Sequence, residues 1–112
     1  MKYNIYQIRN IRETRYAFRS WEEAEAYFRF MDYKKVYSRD ISDVDNASSA
    51  LEELFVKFNI NHPDDFRGHS LSVSDVVTIE TEEGWKWFYC DDIGWKDITK
   101  NVEHEYSLDE VK

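Results

Sequence analysis

The apolar positions of this chain change period several times, and each change marks an element. Residues 3–9 (YNIYQIR) are dense in Tyr and Ile, which favour strands. Tyr3 and Ile5 fall on one face and Tyr6 and Ile8 on the other, so this strand should be covered on both sides or lie in mid-sheet. From Ser20 the spacing becomes helical: Trp21, Ala24, Tyr27 and Phe28 form a stripe that Met31 extends. Ser20 and Glu23 make the S-x-x-E pattern that satisfies free N–H groups at a helix start. Glu22, Glu23 and Glu25 sit in the first turns, where the helix dipole favours acids. Residues 33–39 (YKKVYSR) return to strand, with Tyr33, Val36 and Tyr37 available for packing.

The polar stretch 42–46 is placed to cap a second helix carrying Leu51, Leu54, Phe55 and Phe58, the i, i+3, i+4, i+7 spacing of a core-facing stripe. Pro63 disfavours helix at His62, so this helix should end near 59–61. Residues 61–70 (NHPDDFRGHS) read as a structured loop. Val77 and Ile79 then share one parity in a strand over 76–80. Residues 81–84 (TEEG) are a hairpin connection to the returning strand 85–91 (WKWFYCD). There Trp85, Trp87 and Tyr89 point one way and Lys86, Phe88 and Cys90 the other. A turn at 92–94 (DIG) leads to Trp95 and a short segment ending at Ile98. Residues 101–112 form an acidic C-terminal tail, either a frayed last helix or partly disordered. The elements predict one α+β domain over residues 1–100. Its sheet is small, antiparallel or mixed, with four or five strands and two helices packed on one face.

Composition supports a real core. The 112 residues are 42% hydrophobic and 17% aromatic, so the 34% charged fraction is a solvated surface rather than a mark of disorder. A chain of this length needs no disulfide or metal to fold. Cys90 stands alone, the opening MKYN carries no apolar leader, and no apolar run approaches the roughly 18 residues of a membrane span. A cytoplasmic location and no membrane partner are therefore expected.

The net charge of −8 is unevenly spread. Residues 1–40 carry nine Lys/Arg against six Asp/Glu, whereas residues 75–112 carry four against eleven. Phosphate binding needs cations, so the second half is a poor surface for nucleic acid. It suits a protein partner with a basic surface, such as the groove of a nucleic-acid-binding protein.

Little in the chain points to catalysis. His62, His69 and Cys90 lack the close spacing of zinc ligands, and Asp64 and Asp65 beside His62 are ordinary turn chemistry. Ser70, Ser72 or Ser74 with His69 and Asp75 supply the residue types of a hydrolase, yet no G-x-S-x-G elbow is present. Asp75 is better placed to accept backbone N–H groups where its strand begins. Cys90 has acidic and aromatic neighbours, not the positive ones that activate a thiol. No glycine-rich phosphate loop occurs. No cofactor, metal or catalytic residue is expected.

Several blocks in order carry a resemblance: IYQI (5–8), YAFR (16–19), LEELF (51–55), HPDDFRGHSLSVSDVV (62–77) and FYCDDIGWKDI (88–98). The chain resembles the YodL-like family of small bacterial and phage domains over most of its length. Cys90 and Trp95 stand where other small or aromatic residues are expected. The resemblance implies a setting in mobile genetic elements of Firmicutes and brings no catalytic residues to carry over. It implies modulation of a host protein, including counter-defence of the anti-CRISPR or antirestriction type.

The expected function is a non-catalytic protein-binding regulator or inhibitor. Glu82, Glu83, Asp91 and Asp92 would steer a basic partner, such as a nucleic-acid-binding host protein, and Trp95, just after Gly94, would be its exposed anchor. Trp21, Trp85 and Trp87 are expected in the core. The alternative is a nucleic-acid-associated accessory domain using Arg9, Arg12, Arg15 and Arg19, interleaved with Tyr16 and Phe18. Pairing of these arginines with Glu13, Glu22 and Glu23 would be the plainer use of them.

Overall fold

The computed structural model describes residues 1–111, with side chains through Tyr106. Five strands form one sheet: β1 (Lys2–Ile8), β2 (Tyr33–Asp40), β3 (Val76–Thr81), β4 (Gly84–Cys90) and β5 (Trp95–Asp97). The spatial order is β2-β1-β3-β4-β5, and every neighbouring pair is antiparallel. Helices α1 (Trp21–Ala24), α2 (Ala47–Ile60) and α3 (Thr99–Val111) complete an α+β domain.

β1 is paired on both edges, and its side chains meet cores on both faces. Tyr3 and Ile5 join Val77 and Ile79 beneath Ala50, Leu51, Leu54 and Phe58 of α2. On the other face Ile8, Val76 and Tyr89 pack with Trp21 and Ala24 of α1 and Val102 of α3. The helices therefore divide between two faces instead of sharing one, because a strand apolar on both sides needs a cover on each. Within the second layer a buried Asn4 amide donates to the directly opposed Thr78 hydroxyl at 2.9 Å, which satisfies both in mid-sheet.

β2 shows how register redirects side chains. Ile5 lies opposite Tyr37 but Tyr6 lies opposite Lys35, so Val36 is the extra residue of a β-bulge. In a regular strand Tyr33 and Tyr37 would share a face. With the bulge between them, Tyr37 enters the α2 core and Tyr33 the opposite one.

The helix starts follow their capping residues. Ser20 Oγ accepts from Glu23 N at 3.4 Å, and Asn46 Oδ1 accepts from Ser49 N at 2.9 Å. Helix α1 is much shorter than the 21–31 stripe predicts. Tyr16 intervenes: its hydroxyl donates to Asp32 and accepts from Arg29 N, which holds 29–32 as a turn against β1, and Met31 points outward. Residues 101–111 of the acidic segment continue α3, whose first turn is fixed by buried Val102, and Lys112 lies outside the described residues.

Candidate functional site

Eight of the fourteen residues of α2 are apolar, more than one core stripe uses. Ala50, Leu51, Leu54 and Phe58 fill that stripe, and Phe55 and Val56 are turned off it, 43% and 55% exposed. They face the β4–β5 end of the sheet. Between them lies a groove of about 700 Å³, floored by Leu51, Phe55, Val56, Phe88 and Trp95. Glu52, Asp91, Asp92 and Asp97 stand around it, and no Lys or Arg lines it among the described residues. A concave apolar floor with acids around it selects for apolar groups flanked by positive charge.

The groove wall is built by a short turn. Cys90 pairs with Trp95 across β4 and β5, and Asp91 N donates to Gly94 O at 2.9 Å. Closing that turn puts Gly94 at φ +72°, the left-handed region that glycine occupies without strain. Ile93 at the tip is 90% exposed. Trp95 is half-buried, contrary to the exposed anchor expected. Its position opposite Cys90 puts it on the α2 face, where it packs against the core and meets the Phe55 ring edge-on at 6.5 Å. Trp85, expected in the core, is instead more than a third exposed at the hairpin end of β4, while Trp87 is partly buried.

The acids have different tasks. Asp91 Oδ1 accepts from Trp21 N at 3.0 Å and Asp92 N at 2.9 Å, so it caps α1 from across the sheet. Partial burial raises its carboxyl, but those N–H groups prevail and hold it below the usual range. Asp97 Oδ1 accepts from Thr99 N at 2.9 Å and ties β5 to α3. Asp92 is exposed and bonds only locally, to Ile93 N. Glu52 is also exposed, which leaves these two as the rim charges open to a partner.

Glu82 and Glu83 do not belong to this site. They form the β3–β4 hairpin tip, at the opposite end of a seven-residue strand from Asp91, roughly 20 Å away along it. Glu83 pairs there with Lys86 at 3.8 Å. The four arginines separate as well. Arg9 donates through Nε to Tyr33 O at 2.9 Å, Arg15 lies 4.3 Å over the Tyr27 ring, and Arg19 pairs with Glu23 at 3.7 Å. Arg12 is exposed in the loop between them.

The groups weighed for catalysis are held in structural roles. Asp75 Oδ2 accepts from Ser72 N at 2.8 Å and Gln7 Nε2 at 3.1 Å, as expected at the start of its strand. Burial pushes its carboxyl up to about 8, against the opposing pull of those donors. His69 Nδ1 donates to Ser70 O at 2.7 Å, and its Nε2 lies 3.7 Å from Asp75 Oδ1. Ser72 Oγ donates to Ser70 O, and Ser74 Oγ accepts from Phe18 N. Burial, with Asp75 and Asp91 nearby, pushes the Cys90 thiol up to about 12, so it stays protonated at neutral pH. Among the described residues no three His, Cys, Asp or Glu side chains group as metal ligands. No helix among them is long and apolar enough to cross a membrane.

The fold and its groove define a small α+β domain with an open, acid-rimmed apolar surface between a helix and a sheet edge. The chain belongs to the YodL-like domain family, whose sequence profile matches residues 2–101. No curated protein and no solved structure matches it.

Proposed function

We propose that the chain is a non-catalytic protein-binding regulator whose groove between α2 and β5 takes an apolar segment flanked by Lys or Arg. The observation that carries this reading is the pairing of exposed Phe55 and Val56 with the open rim charges Glu52 and Asp92 around one cavity. An apolar anchor seated there excludes water, and the acids choose among partners by charge. A partner with a basic surface fits, a nucleic-acid-binding host protein included. The setting implied by the family resemblance gives the reading its inhibitory sense, as a mobile element's agent of counter-defence working in the cytoplasm. The dispersal of Arg9, Arg15 and Arg19 onto separate partners weighs against the alternative of a continuous nucleic-acid surface.

Peptide display selected on the intact chain tests this. Enriched sequences should carry an aromatic or branched apolar residue with Lys or Arg beside it, and should lose binding to Phe55→Ala. Enrichment of acidic or uncharged sequences, or undiminished binding to Phe55→Ala, would sink the reading.

A further inference from the structure

A second cavity, of about 420 Å³, lies at the far end of the same sheet face, between the ends of β1 and β2 and the 66–69 loop. Its lining is the reverse of the groove's: Arg9, Lys34, Lys35, Arg67 and His69, and no Asp or Glu. The chain has 15 Lys and Arg against 23 Asp and Glu, so a gathering of cations without acids is not what its composition would produce by default. None of these four Lys and Arg side chains has an ion pair with a carboxylate among the described residues.

These cations are exposed at the cavity's rim, and backbone contacts hold two of them there. Lys34 lies opposite Gln7 in the regular register before the bulge and so shares the cavity's face with it, while Lys35, opposite Tyr6, borders the cavity from the strand. The Nε bond to Tyr33 O anchors the Arg9 guanidinium and leaves its Nη groups to donate, and Arg67 is held by an Nη1 bond to Asp64 O at 2.6 Å. Gln7, nearly fully buried, forms the back wall and fixes the loop by donating to His69 O at 2.9 Å. Gly68 lets the loop lie that close, because a Cβ there would collide with Gln7 Oε1 and come within 2.8 Å of Phe66 Cζ. Asp75 lies behind His69, its Oδ1 3.7 Å from His69 Nε2, and burial pushes its carboxyl up to about 8.

We propose that this cavity binds a phosphate-bearing small molecule, its phosphate oxygens held by Arg9, Lys34 and Arg67. Arginine and lysine donate charge-assisted hydrogen bonds to phosphate oxygens, and the cavity is of the size that small ligands occupy. The site is separate from the groove and does not depend on what the groove binds.

The test is an NMR titration of the intact chain with inorganic phosphate, a nucleoside monophosphate and a short single-stranded oligonucleotide, each against chloride at matched ionic strength. Saturable shifts at the amides of Lys34, Lys35, Arg67, Gly68 and His69 are expected with the first two probes. A Lys34→Ala, Arg67→Ala chain should bind them about ten-fold or more weakly, with its thermal melt unchanged because both residues are exposed. Linear drift matched by chloride, or unchanged affinity in the variant, would overturn the site. Saturation by the oligonucleotide alone, with a footprint reaching Arg15 and Arg19, would overturn the small-molecule assignment in favour of a nucleic-acid backbone.

Discussion

The two faces of the sheet use the same aromatic residues to opposite ends. Beneath α1 and α3, Trp21, Phe28, Tyr33 and Tyr89 pack ring on ring, with centroids 5.0 to 6.2 Å apart. The tyrosine hydroxyls there are satisfied at once: Tyr33 donates to Ser74 O and Tyr89 to Arg19 O, each at 2.6 Å. Beneath α2 the inner rings close in the same way, with Phe58 against Phe66 at 4.8 Å, yet Phe55, Val56 and Trp95 stay open around a groove. Both faces have a helix and a core, so the open wall is a local choice of residues rather than a shortage of cover. Apolar groups left exposed beside a finished core are the ones to examine for binding.

The sharpest way to break this contrast is to truncate one ring from each part of α2. Phe58→Ala should cost about 3–5 kcal/mol in urea melts, because it empties a fully enclosed site. Next in size is a pH effect on the buried seam where β3 begins. Asp75 is raised from 3.8 to about 8, so the folded chain keeps a proton that the unfolded chain releases. This contribution is fully present below about pH 4 and is lost as pH rises to about 8, an effect on the order of a few kcal/mol. Asp75→Asn should flatten that decline, seen by comparing melts at about pH 5 and about pH 9. An unchanged slope would mean that Asp75 is not the group responsible.

Smaller effects sharpen the groove side. Gly94→Ala should cost about 1 kcal/mol, since its positive φ is strained for any L side chain although space is open around it. Phe55→Ala should cost roughly 1 kcal/mol or less, as a partly exposed residue. A loss as large as that of Phe58→Ala would show that Phe55 supports the core and is not held open for a partner.

The strands, and the alternating faces of β1, β3 and β4, were legible because period-two patterns of Tyr, Ile, Val and Trp fit a pleated strand and little else. The hairpin, the end of α2 before Pro63 and a cap for α2 from the polar stretch 42–46 could be read the same way, from local chemistry, though which residue caps could not. What escaped was set by register and distance. Tyr33 and Tyr37 look equivalent until the bulge at Val36 separates them, and a bulge leaves no local signature in YKKVYSR. Glu83 and Asp91 are near neighbours in sequence but lie at opposite ends of an extended strand. Asp91 looked like a free surface charge, and its task of capping α1 depends on a contact 70 residues away. Phe55 fitted the helical stripe by spacing. The surplus of apolar positions in α2 was the available sign that part of the helix faced something other than the core.

The most direct measurement of the central claim is stopped-flow binding of a display-selected basic peptide across a range of salt. The intact chain is compared with Phe55→Ala and with a chain carrying Glu52→Gln and Asp92→Asn. Loss of the rim charges should slow association at low salt, an effect that fades as salt rises, while dissociation stays near that of the intact chain. Loss of the Phe55 ring should instead speed dissociation and leave association nearly unchanged. If both variants fold and bind with the rates of the intact chain, the groove between α2 and β5 is not the binding surface.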